Sequence, residues 1–154
     1  NAARCGRLNV SLYVMPNRNF VERYDNMTYM IYQRTLSDEQ VKRINAQQDS
    51  DFALAYFALL FPSHENANQR ALDAIELGMY KHTMLISCTD GMSLTLSDVF
   101  DAGNGYAREG INVVSLQKHP SMSVGDIAVD LLENVAVMCM PAGWKELDIK
   151  LTLA

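Results

Sequence analysis

Chemistry in a protein chain needs nucleophiles, titratable groups or metal ligands at workable spacings, and here such residues are sparse. The three histidines, His64, His82 and His119, stand apart from one another and from cysteine or carboxylate partners. None forms a C-x-x-C or H-x-x-x-H type of ligand pair, so no metal site is expected. Joining Cys88, Cys139, His82 and His119 would depend wholly on the fold, because no spacing asks for it. A cysteine nucleophile needs a thiolate beside a base in a partly exposed, electropositive place. Cys139 lies instead in the apolar run Val135-Ala136-Val137-Met138-Cys139-Met140, which reads as a buried thiol. Ser123-Val124-Gly125 has glycine on one side only, so it is not a G-x-S-x-G elbow. Gly103-Asn104-Gly105 lacks the preceding strand and the lysine of a phosphate-binding loop, and reads as a helix stop and turn. Asp98, Asp101 and Asp126 are single carboxylates near Gly and Ser, the usual setting of caps and turns. The chain is read as non-enzymatic, with no catalytic residue, cofactor or metal.

Binding residues are the next resort. Arg18, Arg23 and Arg34 lie among Tyr13, Tyr24, Tyr29 and Tyr32, a pairing that stacks and neutralises single-stranded DNA or RNA when it shares a sheet face. The bulk charge opposes this. The 154 residues include 18 acidic and 13 basic side chains, a net charge of -5. Capture of nucleic acid through phosphates needs a concentrated basic face. The tyrosines are better explained as one side of a half-buried sheet, which leaves nucleic acid as the alternative and an unidentified protein as the preferred partner.

These side chains must be carried by local structure, and the hydrophobic periods define it. Arg4–Met15 alternates as a strand and Met27–Thr35 alternates again, which suggests an antiparallel pair. Ser37-Asp38-Glu39-Gln40 has the spacing of a capping box ahead of a short amphipathic helix. Asp49-Ser50-Asp51 precedes Phe52–Phe61, a stretch apolar nearly all round and so expected to be a central helix ended by Pro62. Asn66–Tyr80 has Ala71, Leu72, Ile75 and Met79 on one face, the pattern of a third helix. Strands resume at His82–Thr89, with a turn at Asp90-Gly91. Leu96–Ala102 reads as a helix capped by Ser97. Ile111–Leu116, Ile127–Asp130, Val135–Met140 and Leu147–Leu153 follow as strands.

The expected architecture is α+β: an antiparallel sheet, about three helices in the first half (37–80), and a small antiparallel β-module at about 111–154, all in one domain over 1–154. Cys5, Cys88 and Cys139 are an odd, widely spaced set that suits free thiols in a reducing compartment. No apolar run approaches the ~20 residues of a membrane span, and no signal pattern opens the chain. A cytoplasmic location away from membranes is expected, and strand edges near the N-terminus would suit a homodimer by edge pairing.

The closing third holds the densest pattern. In Ser121-Met122-Ser123-Val124-Gly125-Asp126-Ile127-Ala128-Val129-Asp130, Gly125 supplies backbone freedom at the start of a strand. Ser121, Ser123 and Asp126 suit turn hydrogen bonds, and Ile127 and Val129 suit the core. Gly143-Trp144 then sets the only tryptophan where it closes one end of that core. Leu96-Ser97-Asp98-Val99-Phe100, Ser121–Asp130 and Gly143-Trp144-Lys145-Glu146-Leu147, in that order, resemble YodL-like domains and related accessory proteins of plasmids, phages and integrative elements. The resemblance covers the last third to half of the chain. It implies a mobile-element setting, with a part in plasmid maintenance or evasion of host defence, and it brings no catalytic residues.

Overall fold

The computed structural model describes residues 27–48 and 50–149. Its first strand, β1 (Thr28–Arg34), is followed by three helices: α1 (Asp38–Asn45), α2 (Ser50–Ala58) and α3 (Ala67–Glu76). Next come β2 (Tyr80–Cys88), α4 (Leu96–Gly103) and β3 (Ile111–Ser115). The chain closes with β4 (Ile127–Asp130), β5 (Val135–Cys139) and β6 (Trp144–Leu147). The six strands form one sheet in the order β3-β2-β1-β4-β5-β6, and every neighbouring pair is antiparallel. The fold is α+β, with β4–β6 as the small antiparallel module. That module is joined to the rest through β4, which pairs Tyr29–Tyr32 of β1 with Asp130–Ile127. β3 lies at the far edge of the sheet instead of inside the module.

β1 is the central strand. Its alternating rows are both apolar, as a strand covered on two faces requires. Met30 and Tyr32 pack with Phe52, Leu59, Ala71 and Leu72 under α2 and α3. Tyr29 and Ile31 pack with Leu94, Val99 and Ala102 under α4. Thus α1–α3 are one excursion across one face, α4 covers the other, and the expected half-buried face does not exist. The expected pairing with Arg4–Met15 is replaced by β2 on one side and β4 on the other; Arg4–Met15 itself lies outside the described residues.

Local chemistry accounts for most element ends. Ser37 and Gln40 close the expected capping box on α1, with Gln40 N–H donating to Ser37 Oγ at 3.2 Å and Ser37 N–H to Gln40 Oε1 at 2.8 Å. α4 is capped by Thr95, not Ser97. Asp98 N–H donates to Thr95 Oγ1 at 3.1 Å, and Thr95 N–H to Asp98 Oδ2 at 3.0 Å. The third helix stops at Glu76, so Tyr80 opens β2 instead of ending a helix. β6 spans Trp144–Leu147; of the expected strand Leu147–Leu153, residues 150–153 lie outside the described residues. Among the described residues, no helix is long and apolar enough to cross a membrane.

Candidate functional site

Of the five expected contact residues, Tyr29, Tyr32 and Arg34 fall within the described residues, and these three do not share an exposed face. Arg18 and Arg23 lie outside the described residues. Tyr29 and Tyr32 are buried at 7% and 2% exposure, and Tyr32 stacks on His82 with ring centroids 5.3 Å apart. Neither ring has a face free for a base. Arg34 is engaged internally: its guanidinium donates to Val124 O at 2.7 Å and Tyr56 O at 3.3 Å, and lies 5.3 Å from the Tyr56 ring centroid.

Arg34 is half of a clamp on the Ser121–Asp130 stretch. Successive residues of β1 point to opposite faces, so Gln33 and Arg34 grip the 120–126 loop from both sides of the sheet. On the α4 side, Gln33 Nε2 donates to Asp126 Oδ2 at 3.0 Å and to Pro120 O and Ser121 O at 3.3 Å. Thr83 Oγ1 donates to Gln33 Oε1 at 2.7 Å, at the bulge where β1 and β2 shift register. On the other side, Tyr80 Oη donates to Gly125 O at 2.6 Å. Ser123 N–H adds a 2.8 Å bond to Asp126 Oδ2. Burial outweighs these bonds and pushes the Asp126 carboxyl up to about 6.

The same loop explains Gly125 at closer range than sequence could. Its φ is +90°, and an added Cβ would sit 2.7 Å from Leu59 O and 3.1 Å from the Arg34 guanidinium. Glycine is needed for conformation and for close approach. Leu96–Phe100, Ser121–Asp130 and Gly143–Leu147 meet in one place. Val99 of α4, Met122 of the loop, and Ala128 form one core, with Leu96 and Trp144 packed against it. Trp144 is half-buried on β6 opposite Cys139, close to its expected position. Ser97, Phe100, Met140, Pro141 and Trp144 border a cleft of about 400 Å³ that also touches Cys139. Burial, with the nearby Asp126 carboxylate adding to it, pushes the Cys139 thiol up to about 11, which favours the protonated form at neutral pH. Cys88 and Cys139 are buried free thiols.

The surface that stands out was assigned to the core. α2 is not central: within it only Phe52 is fully buried, and Leu59 fills the core just beyond its end. Leu54 is 68% exposed, Phe57 53% and Phe61 80%, and Leu60 and Leu77 are exposed beside them. Leu54 and Phe57 are three apart on one helix face. Arg70 of α3 ties the end of α2 in place, donating to Ala58 O and, at 3.2 Å, to Phe61 O, carbonyls that have no partner inside the helix. Between α2 and α3 runs an open groove of about 430 Å³, lined by Leu54, Ala58 and Leu77 and by the carboxylates of Asp51, Asp73 and Glu76. Arg43 lines a smaller adjoining cleft that shares Leu77. The sequence signal for this face was available. A helix against one side of a sheet buries a single stripe, so apolar residues all round α2 exceed what packing uses.

No protein-family model, curated protein or solved structure matches the chain.

Proposed function

We propose that this chain acts by protein–protein interaction, without catalysis, through the face formed by α2 and α3. One observation carries the reading: Leu54 and Leu77 are exposed and line an open groove, and Phe57 and Phe61 are exposed on the same segment as Leu54. Scattered exposed leucines are ordinary, but large apolar side chains clustered around a concavity mark contact surfaces. Tyr29 and Tyr32, the two of the expected stacking tyrosines within the described residues, are buried and offer no stacking face, which favours the protein partner over single-stranded nucleic acid. The mobile-element setting rests on the resemblance of Leu96–Phe100, Ser121–Asp130 and Gly143–Leu147 alone, and gene neighbourhood tests it directly.

The interaction is tested with Leu54→Asp/Phe57→Asp, whose exposed positions leave folding intact by circular dichroism. A partner recovered at native expression with the unaltered chain is expected to be lost with this variant. It is expected to be retained with Val113→Asp, an exposed position on the β3 edge. Recovery of the same partner by the α2 variant would refute the proposal.

A further inference from the structure

The chemistry of the groove says more about its occupant, granted that the α2–α3 face is the interaction surface. We infer that it receives an amphipathic, lysine- or arginine-bearing helix of a partner protein. The apolar anchors would sit on Leu54, Phe57 and Leu77, and the cations would face Asp51, Asp73 and Glu76.

Three observations converge on that class. The groove walls are helices whose backbone groups are consumed internally, so they offer an extended segment no ladder of main-chain bonds. Side-chain anchoring of a helix in a groove is the recognition mode left. Exposed Leu54 and Phe57 stand three residues apart on α2, the spacing at which i and i+3 anchors of a partner helix meet them. The charge is one-sided. Asp51, Asp73 and Glu76 face one guanidinium, that of Arg70, which is held by the α2 carbonyls. Asp73 Oδ1 accepts one bond from Gln69 at 2.8 Å, and among the described residues none of the three carboxylates is ion-paired. A second copy of this chain would bring the same carboxylates against themselves, and anionic lipid headgroups would be repelled.

The test uses the whole chain and three synthetic helices of about 18 residues with one shared Leu/Phe face and Lys, Gln or Glu flanks. Fluorescence anisotropy should rank them Lys, Gln, Glu. At low salt the Lys peptide should bind about tenfold tighter than the Glu peptide, the sum of two or three exposed charge pairs. That ratio should shrink toward one near 1 M salt, where the screening length is about 3 Å. Asp73→Lys/Glu76→Lys should invert the order, and Leu54→Asp/Phe57→Asp should abolish binding of all three. Equal affinity for Lys and Glu peptides, lost with the Leu54/Phe57 variant, would overturn the charge inference and leave the face intact. Binding that survives that variant would overturn both. A concentration-dependent dimer, or uptake by vesicles of anionic phospholipid, abolished by Phe57→Asp would also overturn the inference, as would binding of no peptide.

Discussion

Replacing Asp126 by Asn should remove a pH dependence of stability that comes from one buried carboxyl. Asp126 is 3% exposed; Gln33 Nε2 and Ser123 N–H both donate to its Oδ2, and the Arg34 backbone also bonds the carboxyl. An Asn carbonyl placed at Oδ2 accepts the first two, so the substitution removes the charge and keeps those two bonds. Burial, opposed by those bonds and by the nearby Arg34, raises the folded-state value to about 6. The unfolded value is about 3.9, so the difference of about 2 corresponds to about 3 kcal/mol. The sign follows from the raised value. Below about pH 4 both states are protonated and the contribution is fully present; it is lost as pH rises through 6, where the folded state must bury a charge. Urea unfolding of both proteins from about pH 3.5 to 7.5 reads the effect as a difference. That difference cancels Asp98, whose carboxyl is held well below its usual range by Arg108, with the Thr95 N–H adding to it, and whose slope has the opposite sign. Relative to the unaltered protein, Asp126→Asn should gain about 3 kcal/mol between pH 4 and pH 7. A difference that does not vary with pH, or that favours Asp as pH rises, would refute the dominance of burial at this site.

Gly125→Ala should destabilise by about 2–4 kcal/mol in the same urea assay, since it combines a left-handed backbone with a contact on Leu59 O that cannot yield. Thr95→Ala should cost about 1 kcal/mol by thermal unfolding and Ser97→Ala almost nothing, separating the true cap of α4 from its neighbour. Cys88 and Cys139, at 3% and 5% exposure, should be alkylated by iodoacetamide at a rate set by unfolding, checked by mass spectrometry across a urea series. Phe61→Ser, at a position 80% exposed, should leave stability within about 0.5 kcal/mol by urea unfolding.

What could be seen in the sequence was local. The Ser37–Gln40 box closes because both partners lie within one turn. Thr95-x-x-Asp98 obeys the same rule, and attention to the acid beside Ser97 instead of the residue three before Asp98 moved the cap by two positions. Both rows of Met27–Thr35 are rich in large apolar side chains, which already marks a strand covered on two faces. Its two neighbours could not be seen, because β2 and β4 return from separate stretches far downstream of it in the chain. The clamp was hidden for the same reason. Ser121–Asp130 reads as a self-contained turn, yet the Gln33 amide that holds Asp126 lies 93 residues away. Gln33 itself reads as polar surface and is fully buried.

The misplaced helix is the most informative difference. A run such as Phe52-Ala53-Leu54-Ala55-Tyr56-Phe57-Ala58-Leu59-Leu60-Phe61 has two solutions in water: burial on every side, or burial of one stripe with the rest held for a second molecule. Neighbouring elements decide between them. Burial on every side needs partners around the helix, and here the sheet, α1 and α3 cover only part of it. Ala71 and Ala74 bring α3 close to the core, while Asp73 and Glu76 on its outer face rule that side out as an apolar lid for α2. The carboxylates that prevent internal burial are therefore the same ones that border the exposed apolar groove. Fold and exposed groove thus share one cause, and on the proposed reading reversing Asp73 and Glu76 should change what the groove accepts without changing how the helices pack.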